Sequence, residues 1–405
     1  MLVKNIILQD KTKKIIVVSA PGKRYEDDKK VTDLLIDSFL YKNKFKENFK
    51  LVKDRFNEIV AKLKIDLDLQ SYFLEIEDNY NNMSYDELVS RGEYLMAKIL
   101  AKLLNFKFVD SKDFIIFNKN GNINLNKSKL LFQKYFKNDY IVVPGFYGSY
   151  NNKVKIMSRG GSDLTGAIIS NITACNKYEN YTDVDGVLSI DPKINKNFKI
   201  VKELSYKEIR DLSYMGANVL HPDCVKFVKD KNIPIIIKNT FNSNVNGTKI
   251  LQTIKSNENI YKLTGQKNYL IIYLEKYNLN GNITIFEKIS KIFKLLNINI
   301  KLILTSIDNI SIIIKKQSYD NILKLVTYLK NTLKLDSIKI YEDIALMSVT
   351  NVKNLNEKLI FEILNKNNIN IFLFNKDICS SSLILAINEK DLLLALNELH
   401  DNLNK

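Results

Sequence analysis

Ser158-Arg159-Gly160-Gly161-Ser162-Asp163 opens a stretch, SRGGSDLTGAIISNITACNKYENYTDVDGVLSIDPK, that runs to Lys193. The apolar, small-residue run from Leu164 to Ile172 reads as a helix. Paired glycines just ahead of a helix leave backbone N–H groups free and let a phosphate approach closely. Ser162, Asp163 and Thr165 add hydroxyls and a carboxylate at the same helix start, where Ser or Asp would also serve as an N-cap. A lone Gly-Gly-Ser-Asp is more often a capped helix than a phosphate cradle. The second half of the stretch, Tyr181-Thr182-Asp183-Val184-Asp185-Gly186-Val187 followed by Asp191-Pro192-Lys193, shifts that balance. Two carboxylates and a glycine in a polar turn suit nucleotide contact, or a Mg²⁺ held through outer-sphere carboxylates.

Composition narrows the class. The chain has 405 residues, too many for one ordinary core, so two or three domains are expected. It offers no run of eighteen apolar residues, and its start lacks the charged, apolar and cleavage regions of a signal peptide, so a cytoplasmic location without membrane association is expected. Cys175, Cys224 and Cys379 are scattered and odd in number, which fits reduced thiols rather than a disulfide or zinc framework. The net charge of +16 comes from lysines spread along the whole chain without a basic tract, an argument against specific nucleic-acid recognition.

Taken together and in this order, the two halves closely resemble the signature of aspartate kinases in the amino-acid kinase family. The likeness continues through Leu204-Ser205-Tyr206-Lys207-Glu208 and Met215-Gly216-Ala217-Asn218-Val219-Leu220-His221-Pro222, and covers most of the chain. It implies an α/β fold, a three-layer sandwich of the amino-acid kinase type, followed by two α+β, ferredoxin-like ACT modules. The domains implied are 1–255 for catalysis, 256–342 for a first ACT domain and 343–405 for a second.

The resemblance also implies roles. Arg159 would pair with a substrate carboxylate, Ser162 would hydrogen-bond the substrate, and Asp163 would orient the cationic groups around the phosphates. Gly160, Gly161, Thr182, Asp183, Leu188 and Lys193 would bind ATP; Leu188 and Lys193 stand where the family usually has Tyr and Arg, which should weaken nucleotide packing. In Ser19-Ala20-Pro21-Gly22-Lys23-Arg24…Val31-Thr32-Asp33, Thr32 maps onto a substrate-contacting threonine, or simply caps a helix beginning at Asp33. In Ser90-Arg91-Gly92-Glu93, Glu93 maps onto the glutamate that binds the substrate's α-ammonium, although a carboxylate at a helix start is also stabilised by the helix dipole. His221, before a proline, reads as a helix-entry residue with no acid–base task.

Periodicity supplies the rest. Residues 2–9 and 45–64 carry helical apolar spacing, and Lys14–Ser19 and Pro234–Lys238 read as buried strands. Phe106–Val109, Asp113–Phe117 and Asp139–Pro144 are strand-like, and the acidic segment 66–85 reads as an excursion between helices. Beyond residue 255 no proline occurs, and Ile292–Ile300 recurs as Ile360–Ile371, each copy followed by an apolar strand and a helix. By resemblance, Thr305, Ser306, Asp308 and Asn309 in the first copy form an effector-proximal loop.

The reaction so implied transfers the ATP γ-phosphoryl group to the β-carboxylate of L-aspartate, with Mg²⁺ arriving on the nucleotide and no metal ligand assigned to the protein. Lysine or threonine would act as effector, and the ACT modules would associate chains into a homo-oligomer. The family's opening Lys-Phe-Gly-Gly-(Ser/Thr) segment does not precede the first strand; Lys23 could partly substitute, but reads more readily as a solvated turn lysine. Slow or absent turnover is therefore expected. The rival reading is a catalytically impaired chain that senses an amino acid.

Overall fold

The computed structural model describes every residue except 138, 158, 159, 218, 243, 255–257, 278, 280–282, 352–354 and 377–380. The expectation for Arg159 therefore lies outside the described residues, as does that for Cys379. The chain divides into two compact units. The first comprises 1–187, 202–210 and 218–255; the second comprises 188–201, 211–217 and 256–405.

In the first unit, strands β1 (Ile15–Val18), β2 (Lys107–Phe108) and β3 (Ile141–Pro144) form a parallel sheet in the order β1-β3-β2. A hairpin follows, β4 (Tyr147–Tyr150) with β5 (Lys153–Ile156). A second sheet contains β6 (Tyr178–Thr182), β7 (Glu203–Ser205), β8 (Ile235–Asn239) and β9 (Thr248–Leu251) in the order β6-β8-β9-β7, with β6 and β8 parallel. Strands β7 and β9 are parallel as well, and the β-branched runs of β3 and β8 carry fully buried side chains, as parallel strands require, whereas β6 is polar.

Helices α1 (Leu2–Leu8), α2 (Val31–Leu40), α3 (Phe45–Leu63), α4 (Gln70–Asn79), α5 (Tyr85–Val89) and α6 (Arg91–Leu104) precede β2. Helices α7 (Leu125–Tyr135), α8 (Gly161–Thr173), α9 (Tyr206–Tyr214) and α10 (Cys224–Val228) follow it. The spacing of Phe49, Val52 and Phe56 puts three fully buried side chains on one face of α3, against Leu34 and Leu35 of α2 and Leu95 and Ile99 of α6. The acidic stretch 66–85 is not an excursion. Leu69, Phe73 and Ile76 recur at helical spacing and close the same core, while Glu75, Glu77 and Asp78 face outward. Residues 113–117 likewise form no strand: a short 3-10 turn, Ser111–Asp113, precedes isolated bridges at Ile116 and Phe117.

The second unit is one antiparallel sheet of six strands: β10 (Lys262–Glu275), β11 (Ile300–Thr305), β12 (Asn309–Lys315), β13 (Ser337–Thr350), β14 (Ile371–Lys376) and β15 (Ser382–Asn388). The order is β11-β12-β10-β13-β15-β14. Helices α11 (Thr284–Leu295) and α12 (Tyr319–Leu333) bury Ile289, Phe293, Leu325 and Leu329 against Leu270, Ile272, Ile310 and Ile312. Helices α13 (Glu357–Lys366) and α14 (Leu392–Leu403) bury Ile360, Leu364, Leu396 and Leu399 against Ala345, Met347, Leu383 and Leu385. The two copies of the repeat share their long central strands. Residues 269–275 of β10 pair with the first half of β13 and with β12, whereas residues 262–266 pair with the second half of β13.

Candidate functional site

The site is built where β1 and β3 end side by side. Val18 pairs with Pro144, and the Gly145 N–H donates to the Val18 carbonyl at 2.9 Å. Helix α8 starts on this edge, and glycines set how closely. A Cβ on Gly145 would lie 2.5 Å from Ser162 Oγ and 2.8 Å from Ser162 Cα, so only a hydrogen lets the strand end touch the helix start. Gly160 takes a left-handed φ of 77° against the His221 ring and serves as the N-cap residue. The expected side-chain cap from Ser162 or Asp163 is corrected here: α8 has no side-chain cap, and both residues lie inside its first turn. Among the described residues, then, no side chain caps the first N–H groups of this thirteen-residue helix.

Asp163 turns away from the helix end. Its carboxylate accepts from Asn180 Nδ2 at 2.9 Å and from the His221 N–H at 3.2 Å, and burial raises its pKa. Those partners are neutral donors, so Asp163 fastens α8 to β6 and to the segment before α10. His221 does double duty as a helix entry, its Nδ1 accepting the Asp223 N–H at 3.2 Å just ahead of Cys224. Asn180 was invisible in the sequence, since an Asn within a strand carries no motif.

Glu93 occupies the first turn of α6 and is 5% exposed. A Cβ on Gly92 would meet Ala20 Cβ at 2.8 Å and Val31 Cγ1 at 3.2 Å, so the glycine seats α6 against the chain leaving β1 and against α2. The carboxylate accepts the Ala20 N–H and its own N–H, yet Oε2 has no hydrogen-bond partner among the described residues. Burial outweighs these donors and pushes its pKa up to about 7. Thr32 is the second residue of α2, behind Lys30 as N-cap, so it does not cap a helix beginning at Asp33. Lys23 is exposed and its Nζ donates to the Glu26 carbonyl at 2.7 Å, the contact of a turn lysine.

Thr182 and Asp183 lie at the end of β6, where Thr182 Oγ1 donates to Asp183 Oδ1 at 3.1 Å. Asp185 Oδ1 accepts from Asn239 at 2.8 Å and Asn242 at 3.1 Å, and Gly186 takes a φ of 134°. Asn180, on the same strand as Thr182, ties this edge to Asp163. Leu188 and Lys193 fall in the second unit; Leu188 bridges Ile200, and the Lys193 N–H donates to Asp191 Oδ1 at 2.8 Å. Thr305, Ser306, Asp308 and Asn309 form the turn between β11 and β12. The Ser306 N–H donates to the Asn309 carbonyl at 2.9 Å, and the Asp308 carbonyl accepts the Lys276 N–H at 2.9 Å. Among the described residues no group of three or more His, Cys, Asp or Glu side chains could hold a metal ion, and no helix is long and apolar enough to cross a membrane.

Residues 2–239 match the amino acid kinase family. Aspartokinase 3 of Bacillus subtilis is 30% identical over 368 residues, covering 85% of this chain and 81% of that protein. The crystal structure of Clostridium acetobutylicum aspartate kinase, described as an allosteric enzyme, matches 100% of this chain and 95% of its own at 36% identity, with a TM-score of 0.82. Aspartokinase III of E. coli, solved with aspartate and ADP, shares the fold over 100% of this chain and 96% of its own, with a TM-score of 0.84 at 20% identity. With the Gly160–Asp163 helix start, buried Glu93 and the β6 edge arranged as described, this chain belongs to the amino acid kinase family and, within it, to the aspartate kinases.

Proposed function

We propose that the chain transfers the γ-phosphoryl group of ATP to the β-carboxylate of L-aspartate, forming β-aspartyl phosphate. Glu93 carries this reading. A buried carboxylate whose Oε2 has no partner among the described residues is costly unless a cation completes it, and the α-ammonium of an amino acid has the right charge and three donors. Ser162, beside Gly145 and on the same β1/β3 edge, would hydrogen-bond the substrate, and Thr32 would contact it from α2. Arg159 would pair with a substrate carboxylate.

The nucleophile is a carboxylate already ionised at neutral pH, so the site needs no general base. Its task is to bring two anions into line, by position and by preorganised donors. The N–H groups at the start of α8, which no side chain caps among the described residues, would face phosphate oxygens, with Gly160 seating the helix start against His221. Thr182, Asp183, Leu188 and Lys193 would hold the nucleotide, and Asp163 would keep the α8 start in register with β6 through Asn180. A Mg²⁺ arriving on the nucleotide would be carried mainly by phosphates and water, with Asp183 and Asp185 in its outer sphere. When bound, Mg²⁺ would neutralise phosphate charge there.

Residues 1–255 would form the catalytic domain, with 256–342 and 343–405 as ACT domains, although 188–201 and 211–217 pack with the latter two. Lysine or threonine would bind by the Thr305–Asn309 turn, the ACT domains would join chains into a homo-oligomer, and the setting would be cytoplasmic. An aspartyl-hydroxamate assay on the chain and on its Glu93→Gln variant tests the core of this. Product from the parent and none from the variant is expected; equal activity, or activity on substrates without an α-ammonium, overturns it.

A further inference from the structure

Helix α3 carries a charge on its buried face. Phe49, Val52 and Phe56 point into the core, and Arg55, three residues beyond Val52, is only 4% exposed. A buried guanidinium needs partners, and the loop between β1 and α2 supplies them. Arg55 Nη1 donates to the Gly22 carbonyl at 2.7 Å, and Nη2 reaches Asp28 Oδ2 at 2.5 Å and the Lys29 carbonyl at 3.4 Å. Asp28 is itself buried, and the same oxygen accepts the Arg24 N–H at 2.8 Å and Arg24 Nε at 3.2 Å. The loop closes where the Val31 N–H donates to the Pro21 carbonyl at 3.4 Å. Residues 22–30 read Gly-Lys-Arg-Tyr-Glu-Asp-Asp-Lys-Lys, and their one large apolar side chain, Tyr25, is exposed. No hydrophobic anchor holds this loop, so its path depends on the polar grip from α3.

That path ends on either side of Glu93. Just before it, the Ala20 N–H donates to the Glu93 carboxylate. Just after it, Val31 lies against Gly92, where an added Cβ would stand 3.2 Å from Val31 Cγ1. All of these residues belong to the first unit. We propose that Arg55, with Asp28, is a positioning residue for the amino-acid substrate: by fixing the loop it keeps the Ala20 N–H on Glu93 and the start of α2 against α6. Both terminal nitrogens of Arg55 are engaged by the loop, so it acts through the loop rather than on the substrate. This rests on the reading of Glu93 as the carboxylate that takes the substrate's ammonium. Removing one member of a buried ion pair leaves the other unpaired, and the loop then gains alternative paths. Glu93 would keep its own N–H as a donor and lose the one from Ala20.

The test is calorimetric binding of aspartate, and separately of ADP with Mg²⁺, to the full chain between about pH 6 and about pH 8. Arg55→Met keeps the length of the side chain and removes its donors. It should weaken aspartate by about tenfold, the scale of a lost hydrogen bond to a charged group, and leave ADP within about twofold. The midpoint of the rise in aspartate affinity with pH should move upward, because a carboxylate with one donor fewer is harder to ionise. A loss of packing alone would not move it. Arg55→Lys, which can hold Asp28 or the Gly22 carbonyl but not both, should fall between the parent and Arg55→Met. Unchanged aspartate affinity in a folded Arg55→Met protein, an equal loss of ADP, or a midpoint that stays in place overturns the inference. Should that variant fail to fold, Arg55→Lys carries the same expectations at about threefold, and the same refutation. Glu93→Gln separates the two claims. If it leaves aspartate affinity intact, the ammonium reading falls and the inference with it. If it weakens aspartate while Arg55→Met does not, only the inference falls.

Discussion

Two buried polar sites in this molecule are built on opposite terms. Around Ser189 and His400 each buried hydroxyl, ring nitrogen and amide has a partner within the unit. Around Glu93 two backbone donors reach the carboxylate, and buried Oε2 has no hydrogen-bond partner among the described residues. A satisfied network costs nothing further and holds shape. An unsatisfied carboxylate stores a penalty that a cationic ligand releases, so the first site is expected to govern geometry and the second affinity.

The most forceful way to break this contrast is Glu93→Gln. Losing a charge-assisted, desolvated contact to the ammonium should weaken aspartate on the order of 100-fold while ADP binding is retained, both read by calorimetry. Stability should move the other way. A carboxyl group with a folded pKa of about 7 binds its proton more tightly than the unfolded chain does, so the folded state loses stability as pH rises from about 4.5 to 7. That loss is on the order of 3 kcal/mol. Glu93→Gln escapes it, so the variant should melt above the parent at pH 8 and show no such gain at pH 4. A lower melting temperature at pH 8 would mean that Glu93 is a structural residue after all.

Gly145→Ala comes next. The added methyl, 2.5 Å from Ser162 Oγ, must displace the start of α8, at about 1–3 kcal/mol in urea denaturation and with weakened aspartate binding. Asn404→Ala should cost a similar amount of stability through two lost bonds to Tyr261, yet leave aspartate affinity alone; a change there would erase the distinction between the sites. A gentler probe is pH. Aspartate affinity of the parent should rise by about tenfold between pH 6 and pH 8 as Glu93 ionises, with a flat profile for Glu93→Gln. The smallest expected effect is Thr32→Ala, a loss of about fivefold in aspartate affinity from one hydroxyl.

Much of this was legible in the sequence for reasons that can be named. The Gly-Gly pair and the β-branched runs announce a strand end meeting a helix start, and the repeated Ile-Phe-x-x-Leu helices announce the paired α+β copies. What escaped depends on distant residues. Helix α4 hid behind its acidic outer face, because Leu69, Phe73 and Ile76 matter only once α3 supplies the other side of the core. Asn180 gains meaning only when β6 lies beside α8. The attachment of 188–201 to α14 joins residues some two hundred positions apart, which no local pattern encodes.

The central claim is that burial keeps Glu93 largely protonated below about pH 7 and that it ionises when the substrate's ammonium arrives. Calorimetry of aspartate binding in buffers of differing ionisation enthalpy measures that event as protons released. At pH 6.5 most of one proton should be released per aspartate bound, fading to none at pH 8.5. Aspartate bound at pH 6.5 with no proton released would contradict it.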